Sequence, residues 1–263
     1  MASDEGERFK RKIDLDAVPG LDATDGVRAD WSRLAEILRA EIKGLQLEWT
    51  QVHASQSGLG QSDWTWRRRQ RQVSISVFVS GTGPRGAREQ LVELATDTTM
   101  MESPLVRGPE GLGDVAVQYM DRPYENVIWV FRNVCVEVDN EDTGVEIMPL
   151  VHRIQAFMQQ HLVPAIADHV PVVARVDVSP SPVTVGQTVT VSVQLSGEPR
   201  SERLATTVRE RGFPRLEWIS EEGLGATLEA VQPGRAELDI IVIDEKTLLS
   251  PRVAVFLDVL PAP

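Results

Sequence analysis

The spacing of apolar residues changes from a helical period to a strand period within the first fifty residues. Five apolar residues recur at the three- and four-residue steps of a helix: Val27, Trp31, Leu34, Leu38 and Ile42. The pattern predicts a helix that Asp25 caps and Gly44 ends. After Gly44 the period becomes two, so Leu45, Leu47 and Trp49 are predicted to share one face of a strand.

Further along, apolar and polar residues alternate in several stretches that are separated by two helical segments. The alternation predicts five strands: Leu45–Val52, Trp64–Val79, Val115–Met120, Val127–Arg132 and Val134–Val138. Helical spacing returns over Ala87–Thr98 and again from Pro149 to Pro164. We expect a bulge or kink at Asn133 and a polar turn over residues 139–144. Because strands and helices do not alternate throughout, the order favours an antiparallel sheet with packed helices.

The last third of the chain has no helical period. Three stretches alternate strictly between apolar and polar residues: 188–195, 235–243 and 252–259. Short strands with turn residues between them are typical of a β-sandwich. The sequence therefore predicts two domains, an α+β domain and an all-β sandwich. Their predicted limits are an irregular lead-in at 1–24, the α+β domain at 25–163, a hinge at 164–173 and the sandwich at 174–263.

Two stretches of the sandwich carry a family resemblance. Residues 183–193 read VTVGQTVTVSV, and residues 230–236 read AVQPGRA before the penultimate strand. Together with the order of strands, they resemble the bacterial immunoglobulin-like domains of group 2. The resemblance covers nearly the whole second domain. It implies an immunoglobulin-like fold and a spacer or adhesion-type module with no active site.

The first domain resembles a second family over residues 105–162. Its motifs are Gly111-Leu-Gly-Asp114, then Phe131-Arg-Asn-Val-Cys-Val-Glu-Val138, then a final amphipathic helix. This order is similar to that of PsbP-like domains, which include small actinobacterial lipoproteins and sensor domains of membrane kinases. The resemblance implies an accessory or sensing module that binds a ligand or partner, without a shared catalytic residue.

Composition narrows the classes of partner. The chain has 263 residues, with 27 lysines and arginines against 39 aspartates and glutamates, a net charge of −12. This balance gives no general attraction to nucleic acid or to anionic membranes. No apolar run reaches the roughly 18–20 residues that span a bilayer, and the N-terminus lacks a signal-peptide pattern. We expect a cytoplasmic location for the chain as written, and an extracytoplasmic one if a signal peptide has been removed.

One segment combines aromatic and basic residues, the ingredients of a binding surface. Trp64 and Trp66 are followed by a basic run that includes Arg67, Arg69 and Arg71. Stacking aromatics beside arginines are used in single-strand nucleic-acid binding, but the acidic chain disfavours that partner. The interpretation we favour is an edge strand protected by charge, and these five residues are the candidate contacts with a protein partner.

Other motifs give weaker signals. Gly81-Thr-Gly-Pro-Arg-Gly86 has the spacing of a dinucleotide loop, but Pro84 and the lack of a following βαβ succession favour a plain turn. Residues 139–150 fail the EF-hand pattern because its last position is Leu150. The histidines lack ligand spacing, and Cys135, the only cysteine, is expected to be buried. No metal, cofactor or catalytic residue is predicted.

These observations lead to a ranked set of functions. The first is a non-enzymatic interaction or scaffold protein, with an α+β binding domain, an immunoglobulin-like spacer and a protein partner, self-assembly or a larger assembly as its context. The second is a small-molecule or lipid sensor with an apolar pocket lined by Trp31, Trp49 and Trp129. The third is an enzyme that uses a nucleotide at the Gly81–Gly86 loop.

Overall fold

The structure is a computed structural model. It describes residues 26–42, 44–69, 71–81, 83–96, 105–119, 125–141, 145–164, 170–196 and 203–262. Over these residues the chain is mostly β-strand, with three helices and several sheets in which nearly all neighbouring strands are antiparallel. The chain divides into two compact units. The first contains residues up to 166 and the short segment Lys246–Leu248, and the second contains the rest.

The first unit is organised around one seven-stranded antiparallel sheet. Its strands are β2 (Gln46–Ala54), β3 (Gly60–Arg68), β4 (Arg71–Val79), β5 (Leu105–Arg107), β6 (Val115–Tyr119), β7 (Asn126–Phe131) and β8 (Val134–Glu141). They are ordered β2-β3-β4-β8-β7-β6-β5 across the sheet. Two short strands, β1 (Val27–Arg28) and β9 (Val163–Pro164), pair separately. The helices are α1 (Ser32–Glu41), α2 (Pro84–Thr96) and α3 (Met148–His161).

The helices lie on both faces of this sheet. Leu91 and neighbouring apolar residues of α2 pack against Phe78, Val130 and Cys135 of the strands. On the opposite face, Trp129 of β7 donates a hydrogen bond through Nε1 to Oε1 of Gln155 in α3, at 3.0 Å. Helix α1 packs against α3, where the Trp31 and Phe157 rings are 5.7 Å apart. Alternating residues of the central strands therefore enter two different cores.

The segment predicted as one strand, Trp64–Val79, is a hairpin. Strands β3 and β4 pair along their whole length and end at the pair formed by Arg68 and Arg71. Arg69 takes a positive φ of 61° at this reversal, a conformation found in tight turns. Apolar residues before and after the turn point to the same face, because Trp66 pairs with Val73. The alternation of apolar and polar residues therefore continues without a break across the turn, so the sequence pattern does not reveal the turn.

Asn133 lies in a second tight hairpin and forms neither a bulge nor a kink. The preceding residue, Arg132, has a φ of 57°, and β7 and β8 are in register up to the pair of Phe131 and Val134. The buried Asn133 side chain accepts a hydrogen bond from the Val27 amide at 2.8 Å. It donates to the carbonyl oxygens of Val27 and Ser80 at 3.0 and 2.8 Å. This side chain joins strand β1 to the sheet.

Other element limits differ from the predictions. Helix α1 begins at Ser32 because Val27 and Arg28 pair as a strand; the proposed cap, Asp25, lies outside the described residues. Strand β8 continues to Glu141, so residues 139–141, predicted to belong to a polar turn, are part of the strand; residues 142–144 lie outside the described residues. The predicted lead-in and half of the predicted hinge, residues 165–169, also lie outside the described residues.

The second unit contains two four-stranded sheets around one apolar core. One sheet has the order β10-β12-β15-β14 and the other β11-β17-β16-β13. The strands are β10 (Val173–Ser179), β11 (Val183–Thr184), β12 (Thr188–Leu195), β13 (Leu204–Arg211), β14 (Leu216–Glu222), β15 (Gly225–Ala230), β16 (Gly234–Asp244) and β17 (Arg252–Leu260). Alternate residues of β12, including Val189 and Val191, pack with Leu238 and Ile240 of the other sheet. The predicted all-β character of this region agrees with the structure.

Candidate partner-binding face

One face of the seven-stranded sheet has an apolar half and a polar half. Helix α2 covers the apolar half and contacts β4, β7 and β8. The polar half lies on β2, β3, β4, β7 and β8, and none of the apolar residues packed under α2 comes from β2 or β3. We call it the polar face. Strand register places the following residues on it: Trp49, Gln51, His53, Gln61, Asp63, Thr65, Ser74, Ser76, Asn126, Glu137 and Asp139.

The alternation of the strands explains why these polar residues lie together. Trp64 and Ile75 point to the opposite face and are buried, so the residues beside them in each strand must point to the polar face. Thr65 faces Ser74 in this way, and their hydroxyl oxygens are 3.5 Å apart. The same rule places Glu137 on the polar face, between two buried valines of β8.

Asp63 forms the centre of a hydrogen-bonded group on this face. Its Oδ1 accepts hydrogen bonds from Ser76 Oγ at 2.5 Å and from Gln61 Nε2 at 2.8 Å. His53 Nδ1 is 3.5 Å from Oδ2, which is longer than an ordinary hydrogen bond. Only 7% of Asp63 is exposed. The carboxylate is therefore oriented by neighbours on all three strands that surround it.

Asn126 joins two further carboxylates. Its Nδ2 lies 3.2 Å from Glu137 Oε1 and 3.3 Å from Asp139 Oδ1. Ionised carboxylates only accept hydrogen bonds, which fixes the amide with its nitrogen towards them. Asn126 is buried, and its Oδ1 has no hydrogen-bond partner within the described part of the chain. The Asn126 amide nitrogen therefore lies within hydrogen-bond distance of two acidic side chains.

The outer edge of the polar face carries an aromatic side chain and one basic side chain. Trp49 of the edge strand β2 is 45% exposed. Arg67 donates through its terminal NH2 nitrogen to Gln72 Oε1 at 2.7 Å, and its NH1 nitrogen lies 2.9 Å from Glu48 Oε2. The guanidinium is thus held by a carboxylate and an amide from the neighbouring strands.

The predicted contact residues separate into two groups. Trp64 and Trp66 are 3% and 1% exposed, so both indoles belong to the core and are not surface contacts. Arg67 and Arg69 are exposed, whereas the side chain of Arg71 lies outside the described residues. The edge-strand interpretation was also wrong, because β3 lies between β2 and β4. Trp64 and Trp66 therefore do not form one surface with the exposed arginines.

The three tryptophans predicted to line one pocket do not lie together. Trp31 and Trp129 are fully buried among the residues around α3. Trp49 is exposed on the polar face. The register of β2 shifts between Leu47, which pairs with Trp66, and Trp49, which pairs with Thr65. This bulge reverses the side of the sheet on which Trp49 lies, so the predicted pocket is wrong.

Two other motifs of the sequence, the Gly81–Gly86 segment and the turn that contains Asp114, connect strands and helices of the first unit. The Gly81–Gly86 segment connects β4 to α2, and the next strand in the chain, β5, lies at the far edge of the sheet. Asp114 Oδ2 accepts a hydrogen bond from the Arg132 amide at 2.6 Å, which stabilises the tight turn at Asn133. Both segments connect elements of the fold.

Cys135 lies in the apolar half of the face and is buried. Burial chiefly, and the charge of Glu137 in addition, raise the pKa of the Cys135 thiol well above its ordinary value. The thiolate form that a nucleophile needs is therefore disfavoured. Within the described residues no group of histidine, cysteine, aspartate and glutamate side chains could hold a metal ion. No helix in the same part of the chain is long and apolar enough to cross a membrane.

The residues at the centre of the polar face were not identified from the sequence. Asp63 falls between two predicted strands, Glu137 lies within a predicted strand, and Asp139 begins a predicted polar turn. The available signal was the recurrence of polar residues at every second position in three strands. That signal becomes a surface only when the strand order is known.

Comparisons with known proteins add no relative. Neither the models of protein families nor the curated proteins match this chain.

Proposed function

We propose that the chain is a non-enzymatic interaction or scaffold protein whose first unit binds a protein partner on the polar face. The observation that carries this proposal is that the apolar residues packed against α2 occupy one half of a sheet face, whereas the other half carries polar side chains. Trp49 is exposed at the edge of that half. Tryptophan is enriched where proteins bind each other, because a large ring can be desolvated there while its N–H finds an acceptor.

The state of the polar side chains also supports a binding surface. Asp63 and Asn126 are buried and oriented by contacts with neighbouring strands. Side chains that are already ordered lose little conformational entropy when a partner binds. A partner can therefore meet this surface without first rearranging it.

For the second unit we propose the role of an immunoglobulin-like spacer. Its apolar residues fill the space between two sheets, an arrangement that suits a rigid module. On this proposal the first unit is a PsbP-like α+β binding domain, and the chain is one subunit of a larger assembly. The sensor alternative loses support because Trp31 and Trp129 pack in a core with the side chains of α3.

A pair of matched variants tests the proposal. Gln51 is exposed on the polar face, and Gln232 is exposed in the second unit. The tagged full chain, Gln51→Arg and Gln232→Arg are each incubated with an extract of the source organism, and stoichiometric complexes are isolated by size exclusion. We expect one protein to be retained by the wild type and Gln232→Arg and lost from Gln51→Arg. A partner retained equally by all three would contradict the assignment of the face.

A further inference from the structure

We infer that the tip of the β3–β4 hairpin binds an acidic segment of a partner protein through Arg68 and Arg69. This inference goes beyond the proposed function, because it assigns a second contact surface and does not depend on the polar face. It follows from the exposure of the two arginines, from the absence of acidic partners for them among the described residues, and from the backbone conformation of Arg69.

The hairpin tip carries consecutive arginines beyond the last buried residue of β3. Trp66 is 1% exposed, whereas Arg67, Arg68 and Arg69 are all exposed. Successive Cα atoms are about 3.8 Å apart, so three positive charges are attached to about 8 Å of backbone. That length is close to the Debye length of about 8 Å at physiological ionic strength. The tip is therefore a local positive site on a chain whose net charge is −12.

The three arginines differ in whether the fold neutralises them. Arg67 lies 2.9 Å from a carboxylate oxygen of Glu48. Arg68 and Arg69 form no ion pair and no side-chain hydrogen bond with any described residue. The register places Arg71 opposite Arg68, so no acidic residue faces Arg68 across the hairpin. Because a guanidinium has only donors, these two side chains remain available to the acceptors of a partner.

The conformation of Arg69 favours a role outside the fold. Its φ of 61° lies in the left-handed region, which is uncommon for residues with a side chain. Two-residue hairpin connections favour asparagine and glycine for this reason. An arginine therefore costs stability at this position, and no ion pair within the described chain offsets that cost. Residues that break a local rule without compensation are expected where they serve binding.

The charge distribution favours a compact anionic partner. Duplex DNA carries one phosphate charge for about every 1.7 Å of its axis, and an anionic membrane is a continuous negative surface. Either would extend beyond the tip and meet the acidic remainder of the chain, which repels it. A short run of glutamate or aspartate can end at the tip, and its carboxylates accept paired hydrogen bonds from arginine. An acidic protein segment is therefore the occupant that fits.

The test uses defined ligands and the full chain. The first ligand is a labelled peptide that alternates glutamate and serine, and two counterparts replace glutamate by serine or by lysine. A single-stranded oligonucleotide with the same number of charges and vesicles containing phosphatidylserine represent the other anionic partners. Affinity is measured by fluorescence anisotropy, and by co-sedimentation for the vesicles, at about 0.15 M salt. We expect the glutamate peptide to bind at least tenfold more tightly than its counterparts and more tightly than the oligonucleotide or the vesicles.

The key variants are Arg69→Gly and Arg68→Gln, with Arg33→Gln as the matched control. Arg33 is exposed on helix α1, so each variant removes one positive charge from the chain. Glycine suits the left-handed turn, so Arg69→Gly should keep the Tm at or above that of the wild type. Arg69→Gly and Arg68→Gln should each weaken binding of the glutamate peptide about fivefold, the upper range for one exposed ion pair. Arg33→Gln should weaken it by less than twofold.

Four results would overturn the inference. An equal loss in Arg33→Gln would show that the peptide responds to net charge, and tighter binding of the oligonucleotide or vesicles would assign the tip to a phosphate-bearing partner. A lower Tm of Arg69→Gly with unchanged binding would make Arg69 a structural residue. Failure of the glutamate peptide to bind would reject the acidic segment. In each case the proposed function would still be decided separately by the Gln51→Arg experiment.

Discussion

The two halves of one sheet face differ in the side chains that the same strands present. On β8, Cys135 packs beneath α2, whereas Glu137 and Asp139 lie on the polar half. On β4, Phe78 lies under the helix, whereas Ser74 and Ser76 do not. The change from apolar to polar within single strands limits how far α2 can bury the face. The sheet therefore keeps a half-face of polar side chains beside its apolar core.

The two halves of the face are expected to contribute differently to folding stability and to partner binding. The covered half contributes buried apolar area, which is the main source of folding free energy. The polar half contributes hydrogen bonds and charges, whose net effect on folding is smaller because water competes for them. We therefore expect substitutions in the covered half to change the free energy of unfolding most. Substitutions on the polar face should change partner binding most.

The largest stability effect is expected from Leu91→Ala, in the covered half. Leu91 belongs to α2 and is fully buried between that helix and the covered half of the sheet, and its truncation should lower the free energy of unfolding by about 3 kcal/mol. Gln51→Ala, on the polar face, should change it by less than about 0.5 kcal/mol. Urea unfolding followed by tryptophan fluorescence measures both, because four buried tryptophans, Trp31, Trp64, Trp66 and Trp129, report on the first unit. Similar losses in the two variants would refute the distinction.

The next largest effect is expected at Asp239, a carboxylate of the second unit that is paired with two arginines. In the second unit, Asp239 accepts hydrogen bonds from Arg211 Nε at 2.6 Å and Arg252 Nε at 2.9 Å. Burial acts to raise the pKa of Asp239, but the hydrogen bonds and charges of Arg252 and Arg211 outweigh it and lower that pKa. Asp239→Asn should therefore destabilise the second unit by about 2 kcal/mol at pH 7.

The effect of Asp239→Asn should also depend on pH. Because the folded pKa is below the unfolded value of about 3.9, the ionised carboxylate stabilises the fold above about pH 4. That contribution is lost as the pH falls through the folded pKa. Thermal unfolding of the wild type and Asp239→Asn between neutral pH and about pH 3 should show the difference in Tm shrinking on acidification. A constant difference would exclude the ionised pair as its cause.

A smaller effect is expected from the oriented carboxylate at the centre of the polar face. Asp63→Ala removes the acceptor of Ser76 and Gln61 and should cost the first unit about 1.5 kcal/mol. Combining it with Ser76→Ala in a double-mutant cycle should give a coupling of about 1 kcal/mol. Chemical denaturation measures all four proteins. Additive losses would mean that the two side chains do not stabilise each other.

The smallest stability change is expected from Asp139→Asn, on the polar face. Asp139 is half-buried and accepts a hydrogen bond only from Asn126 among the described residues. Its substitution should change the free energy of unfolding by less than about 0.5 kcal/mol. If Asp139→Asn were as destabilising as Asp239→Asn, the polar face would be a structural network, and the comparison between its two halves would fail.

The sequence predicted the elements better than it predicted the surface. Alternation identified β12 at its observed limits, Thr188–Leu195, because its buried and exposed residues do not change phase. It failed where a single residue altered the phase or hid a turn. The bulge before Trp49 moved that side chain to the other face, and Arg69 formed a hairpin within an unbroken alternation.

The polar face needed information that a sequence pattern does not contain. Asp63 and Glu137 are 74 residues apart in the chain, and only the strand order β3-β4-β8 places them in one row. Asn126 contacts Glu137 through the pairing of β7 with β8. Such long-range neighbours depend on register, which one sequence without its partners in the sheet does not specify.

Site-specific crosslinking tests the central claim, that the polar face is the binding surface, most directly. The single natural cysteine, Cys135, is buried with a raised pKa, so a maleimide photocrosslinker should label an introduced cysteine selectively. Gln51→Cys places the crosslinker on the polar face, and Gln232→Cys places it on the second unit. In an extract of the source organism, we predict one discrete crosslinked protein from Gln51→Cys and none from Gln232→Cys. The absence of a specific product from Gln51→Cys, or the same product from both positions, would contradict the account.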